Sequence, residues 1–121
     1  MPNRTLTVTI DVVCVLTFVA VGRSAHAEGL ALAGLARTAW PFLVGLACGE
    51  LIGPRWSRPA APWSRGAVSV ACTVAIGMVL RVASGQSIAI AFVFVATAFL
   101  SLFLLGWRLV AFLITKRRAA R

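Results

Sequence analysis

The chain has 121 residues, 60% hydrophobic and only 12% charged, with a net charge of +9. A soluble domain of this size carries about a quarter charged residues, so this much apolar surface excludes a soluble globular fold and makes lipid the solvent for most of the chain. The basic excess, twelve Lys and Arg against three acids, sits in short segments between and after apolar runs. That pattern fits membrane orientation and anionic headgroups, and no aromatic-interleaved basic face or recognition helix points to nucleic acid.

A helix needs about 20 mostly apolar residues to cross a bilayer, and four runs qualify. The first covers 6–22, with Asp11 inside it. Small residues at Ser24, Ala25 and Ala27 resemble a signal cleavage site, but Asp11 interrupts the apolar region, and the run reads as a retained first helix. A link with Arg23, His26 and Glu28 leads to the second run, 30–52, which contains Arg37 and Pro41. The stretch 53–65 holds three prolines and three arginines and reads as the central loop. The third run is 66–82, and Ser84-Gly85-Gln86-Ser87 is a tight turn. The fourth is 88–114, followed by a basic tail over 115–121.

Long apolar runs without period-two alternation argue for helices over a transmembrane barrel. The reading is a single all-α domain over 1–121, a polytopic four-transmembrane-helix bundle of two antiparallel hairpins. Arg4, the loop arginines Arg55, Arg58 and Arg65, and the tail Lys116, Arg117, Arg118 and Arg121 share one side, against Arg23 and Arg81 on the other. The basic side, with both termini, is expected in the cytoplasm, in a multi-pass protein of the plasma membrane. Trp56, Trp63 and Trp107 suit an interfacial belt on that side. Cys14, Cys48 and Cys72 lie in apolar runs and read as small buried residues. A shift of 58 residues pairs Cys14 with Cys72 and Arg23 with Arg81, which hints at a duplicated hairpin.

Ionisable groups in lipid are costly, about 2.5–3.5 kcal/mol each on insertion scales, so their positions are informative. They fall in two layers. The outer layer holds Arg23, His26, Glu28 and Arg81, with Arg37 deeper. His26 and Glu28 read either as a protonatable pair or as a solvated structural one. The inner layer holds Asp11, Glu50 and Arg108, at similar depth on helices one, two and four. It reads either as an ion-pair cluster that staples the bundle or as a cation or proton site. Pro41 frees the carbonyl of Arg37, so a bend at 37–41 is expected, with Arg37 and Trp40 beside polar backbone and the guanidinium directed into the bundle or a subunit interface. Gly45, Gly49 and Gly53 form one helix face that admits close packing by a helix of this chain or of a second subunit. No catalytic triad, nucleotide motif or metal site is evident, and no enzyme activity or cofactor is expected.

Asp11, Phe18-Val19-Ala20-Val21-Gly22-Arg23, His26 and Glu28 resemble the opening of domain-of-unknown-function family 3054, a family of small bacterial and archaeal membrane proteins. Thr38-Ala39-Trp40-Pro41-Phe42 with Gly45 is the most specific element of the resemblance. Thr73, Gly77-Met78 and Arg81 resemble its third helix, and Phe92, Ala96-Thr97 and Leu105-Gly106-Trp107-Arg108 its fourth. The resemblance covers nearly the whole chain and implies no activity. Two functional readings remain. One is a transporter-like or ligand-binding bundle with its site near Arg37, Trp40 and Pro41. The alternative is a non-catalytic assembly or partner subunit using the glycine row and the basic surface. Four short helices enclose little volume, so transport calls for a homodimer.

Overall fold

In lipid the backbone has no water to bond, so each apolar run closes its own hydrogen bonds as a helix. The computed structural model describes residues 4–25, 32–56, 63–86 and 90–120. Its elements are α1 (Arg4–Ala25), α2 (Leu32–Trp56), α3 (Trp63–Ala83), α4 (Ile90–Leu100), a π-helical turn (Ser101–Leu105) and α5 (Gly106–Ala119). The last three run on as one rod. Among the described residues there is no strand, and four helices are long and apolar enough to cross a membrane. The chain is thus an all-α, multi-pass membrane protein. Many large apolar side chains, among them Val13, Leu51, Val79, Phe94 and Leu102, remain exposed, as expected where lipid covers the outside.

α2 and α3 form the most intimate pair, and the glycine row is why. A Cβ on Gly45 would stand 2.7 Å from the Cys72 carbonyl oxygen and 2.9 Å from the Thr73 Cα. One on Gly49 would stand 3.0 Å from the Ser69 Cα, whereas Gly53 has only the Arg65 Nε at 3.6 Å. The row therefore seats a helix of the same chain. Ser69 and Thr73 face it, both buried, and Thr73 Oγ1 donates back to the Ser69 carbonyl at 2.6 Å. Small residues on both helices bring the backbones together, the usual source of dispersion energy between helices in lipid. The apolar centre is aromatic. Phe18 of α1 meets Phe42 of α2 edge-on at 5.4 Å and Phe99 of α4 at 5.4 Å, and Phe99 stacks on Phe103 at 4.3 Å.

Two helix limits differ from the sequence reading. α2 continues through Pro54 to Trp56, and α3 begins at Trp63, so much of the expected 53–65 loop is helical. Nor does Pro41 interrupt α2. A proline within a helix orphans the carbonyl four residues earlier, and both orphans on α2 find outside donors. The Arg37 carbonyl accepts from Gln86 Nε2 at 3.1 Å. The Glu50 carbonyl accepts from Arg4 Nη2 at 3.5 Å, the outer limit for such a bond. Gln86 is in place because α3 ends in a Schellman motif: Gly85 has φ +82°, its N–H donates to the Val82 carbonyl, and the Gln86 N–H donates to the Arg81 carbonyl.

Candidate functional site

The inner charges meet. Asp11 sits in the second turn of α1, fully buried at 0% exposure, and its carboxylate accepts three bonds. Arg108 Nη2 donates to Oδ2 at 2.6 Å, Arg108 Nη1 to Oδ1 at 2.8 Å, and the Trp107 indole N–H also to Oδ1 at 2.8 Å. The guanidinium and carboxylate thus pair as a fork, the strongest form of the ion pair. Arg108 Nη1 also donates to the Leu104 carbonyl at 2.9 Å, within the π-helical turn. Its guanidinium lies 4.7 Å from the Trp107 ring centre. Glu50 comes from α2, with Oε1 3.7 Å from Arg108 Nη2 and accepting from Ser69 Oγ of α3 at 3.2 Å. All four spans therefore contribute to one polar knot.

Two local features place Arg108 there. The π-helical turn adds a residue to the helical winding and so rotates α5 relative to an unbroken α-helix. Gly66 of α3 clears the path: a Cβ on it would stand 2.6 Å from Leu105 Cδ2 and 2.9 Å from Arg108 Cδ. Asp11 and Ser69 are 58 residues apart, as are Glu50 and Arg108.

Beside the knot, a cavity of about 380 Å³ lies at the basic end of the bundle. Its walls include Arg4 and Thr7 of α1, Glu50 of α2, Trp63 and Arg65 of α3, and Leu105, Trp107, Arg108, Leu109 and Phe112. The volume is in the range of small-ligand sites. Arg4, Trp63, Arg65, Leu109 and Phe112 are exposed, so the cavity communicates with the outside. Arg108 is committed to Asp11. Arg4 and Arg65 have no carboxylate within ion-pair distance among the described residues. The mouth is therefore doubly cationic and the floor carries Glu50.

The outer residues do not form a second site of this kind. Arg23 Nη1 donates to Thr38 Oγ1 at 2.9 Å, and the guanidinium lies over Gly34. Arg81 Nη1 donates to Gln86 Oε1 at 3.2 Å. His26 and Glu28 fall outside the described residues. Of the two directions expected for Arg37, the one into the bundle of this chain is corrected: Arg37 is exposed. It lies five residues into α2, about 7.5 Å along the axis from Leu32, close enough to the helix end for its stem to carry the charge outward. Trp40 is 40% exposed on the outside of the bundle. The freed carbonyl at Arg37 is taken by Gln86. Thr97 donates to the Val93 carbonyl within its own helix at 2.8 Å.

Sequence reasoning placed Asp11, Glu50 and Arg108 together but missed Ser69, Trp107, Arg4 and Arg65. Trp107 next to Arg108, two donors in a row at the depth of an acid, was a usable signal. Arg4 and Arg65 were counted for orientation alone. The family model described as "Protein of unknown function (DUF3054)" matches residues 8–111. No curated protein and no solved structure matches the chain.

Proposed function

Since the chain belongs to the DUF3054 family, whose description assigns no activity, we propose from its geometry that it is a ligand-binding membrane bundle. Its site is the cavity at the basic end, not the surroundings of Pro41, and its ligand is an anion. The observation that carries this reading is the pair of arginines without carboxylate partners, Arg4 and Arg65, at the mouth of a 380 Å³ cavity. The Asp11–Arg108 pair is the frame: it holds α1 to α5 and fixes one wall. A cavity within one chain removes the need for a second copy to build it. The eight basic residues counted on this side in the sequence support a site in the cytoplasmic leaflet of the plasma membrane, with both termini inside. An assembly subunit built on the glycine row has less support, because Gly45 and Gly49 already receive α3.

The test is charge-selective thiol labelling of Ala111→Cys on the cavity wall, with the wild-type chain as control for its native cysteines. A negatively charged methanethiosulfonate should react faster than a positively charged one, and Arg4→Gln with Arg65→Gln should abolish the preference. Faster reaction with the cation, or no reaction with either, would remove the basis for an anion site.

A further inference from the structure

Resting on that reading, we propose that the anion is a membrane phospholipid carrying a phosphodiester of net negative charge. Its phosphate sits between Arg4 and Arg65, and an acyl chain follows Leu109 and Phe112 out of the cavity. Three observations converge on this occupant. First, the site has two chemically different halves. Arg4 and Arg65 present planar guanidinium forks that match phosphate oxygens, while Leu105, Leu109 and Phe112 form a continuous apolar wall on one rod. A water-soluble anion has no use for that wall. Second, the wall faces outward. Leu109 and Phe112 are exposed on the lipid-covered surface of the last span, so a chain leaving the cavity along them stays in the hydrocarbon.

Third, the depth is that of a headgroup. Arg4 and Trp63 open α1 and α3, and Lys116, Arg117 and Arg118 close α5, all at the same end of the bundle. Tryptophan and arginine at span ends mark the interface. A zwitterionic headgroup, which brings its own cation to two arginines, suits the site less.

The experiment is native mass spectrometry of the purified full chain in detergent, given equal amounts of phosphatidylglycerol and phosphatidylcholine with identical acyl chains. Retention of phosphatidylglycerol should exceed that of phosphatidylcholine about thirty-fold, the size expected when two arginines each contribute a headgroup contact. Arg4→Gln with Arg65→Gln should bring the ratio near one. Both residues are exposed, and circular dichroism of the variant checks that it keeps its helices. Equal retention of the two lipids by the wild-type chain, or a ratio unchanged in the double variant, overturns the proposal. A parallel arm treats Ala111→Cys with inorganic phosphate alone. If free phosphate protects the thiol and phosphatidylglycerol does not, the ligand is a soluble anion: the lipid assignment fails while the anion site stands. If the thiol shows no charge preference and neither lipid is retained selectively, both fail together.

Discussion

Replacing Asp11 by alanine removes the acceptor of three donors at once: both terminal nitrogens of Arg108 and the Trp107 indole. The guanidinium left behind is 13% exposed, with the Leu104 carbonyl at 2.9 Å, Glu50 at 3.7 Å and the Trp107 ring at 4.7 Å as its remaining neighbours. Breaking a buried pair by deleting one partner costs about 3–5 kcal/mol, chiefly the penalty of the orphaned charge. Adding Arg108→Met keeps an unbranched stem against Gly66 and removes that charge. The double variant should therefore lose less than Asp11→Ala alone. Its remaining loss is about 1–3 kcal/mol for the unsatisfied indole, about 2 kcal/mol less than that of Asp11→Ala alone. The assay is reversible unfolding by sodium dodecyl sulfate in mixed micelles, followed by circular dichroism for the wild type, both single variants and the double variant. Single-variant losses that add to within about 0.5 kcal/mol would refute the pairing.

Gly45→Ala should cost about 1–3 kcal/mol by forcing α2 and α3 apart, whereas Gly53→Ala, with 3.6 Å to a flexible arginine, should be nearly neutral in the same unfolding assay. Gln86→Ala strips the donor from the proline-freed carbonyl of Arg37 and should cost about 1 kcal/mol. In a Pro41→Ala background, where the helix supplies its own donor, that loss should shrink to what the Arg81–Gln86 bond contributes, and an undiminished loss would contradict the role given to Gln86. Arg37→Gln, at an exposed position, should shift stability by no more than about 0.5 kcal/mol; a larger loss would show that the guanidinium serves the fold. Reporter fusions within 57–62 and after Arg121 should both read cytoplasmic, and a reporter read outside at either position would reverse the orientation.

The cost of charge in lipid made the inner cluster legible. Asp11, Glu50 and Arg108 had to meet because none of them tolerates hydrocarbon unpaired, and their depths along three helices follow from residue counts. Azimuth is what residue counts do not give. Whether Arg108 faces Asp11 depends on the π-helical turn at Ser101–Leu105, and nothing in Ser-Leu-Phe-Leu-Leu distinguishes it from an ordinary helical stretch. Arg37 was misplaced for a related reason. Prolines at 54, 59 and 62 suggested that α2 stops at 52, but the helix absorbs Pro54 and ends at Trp56, which draws Arg37 toward the opposite end of the span. Trp107 shows a different limit: a tryptophan near the end of a span is by default an interfacial anchor, and only its neighbour in space, Asp11, reveals the donor.

Whether the basic-end cavity holds an anion is tested by thermal unfolding of the detergent-purified chain with dodecyl phosphate, measured beside the uncharged dodecyl maltoside. A ligand that binds only the folded state stabilises by RT ln(1 + [L]/Kd), about 2.7 kcal/mol at a hundred-fold excess over Kd. Dodecyl phosphate should raise the melting temperature of the wild-type chain by several degrees and leave that of Arg4→Gln with Arg65→Gln unchanged. An equal rise in both proteins, or no rise in either, would contradict an anion site between the two arginines.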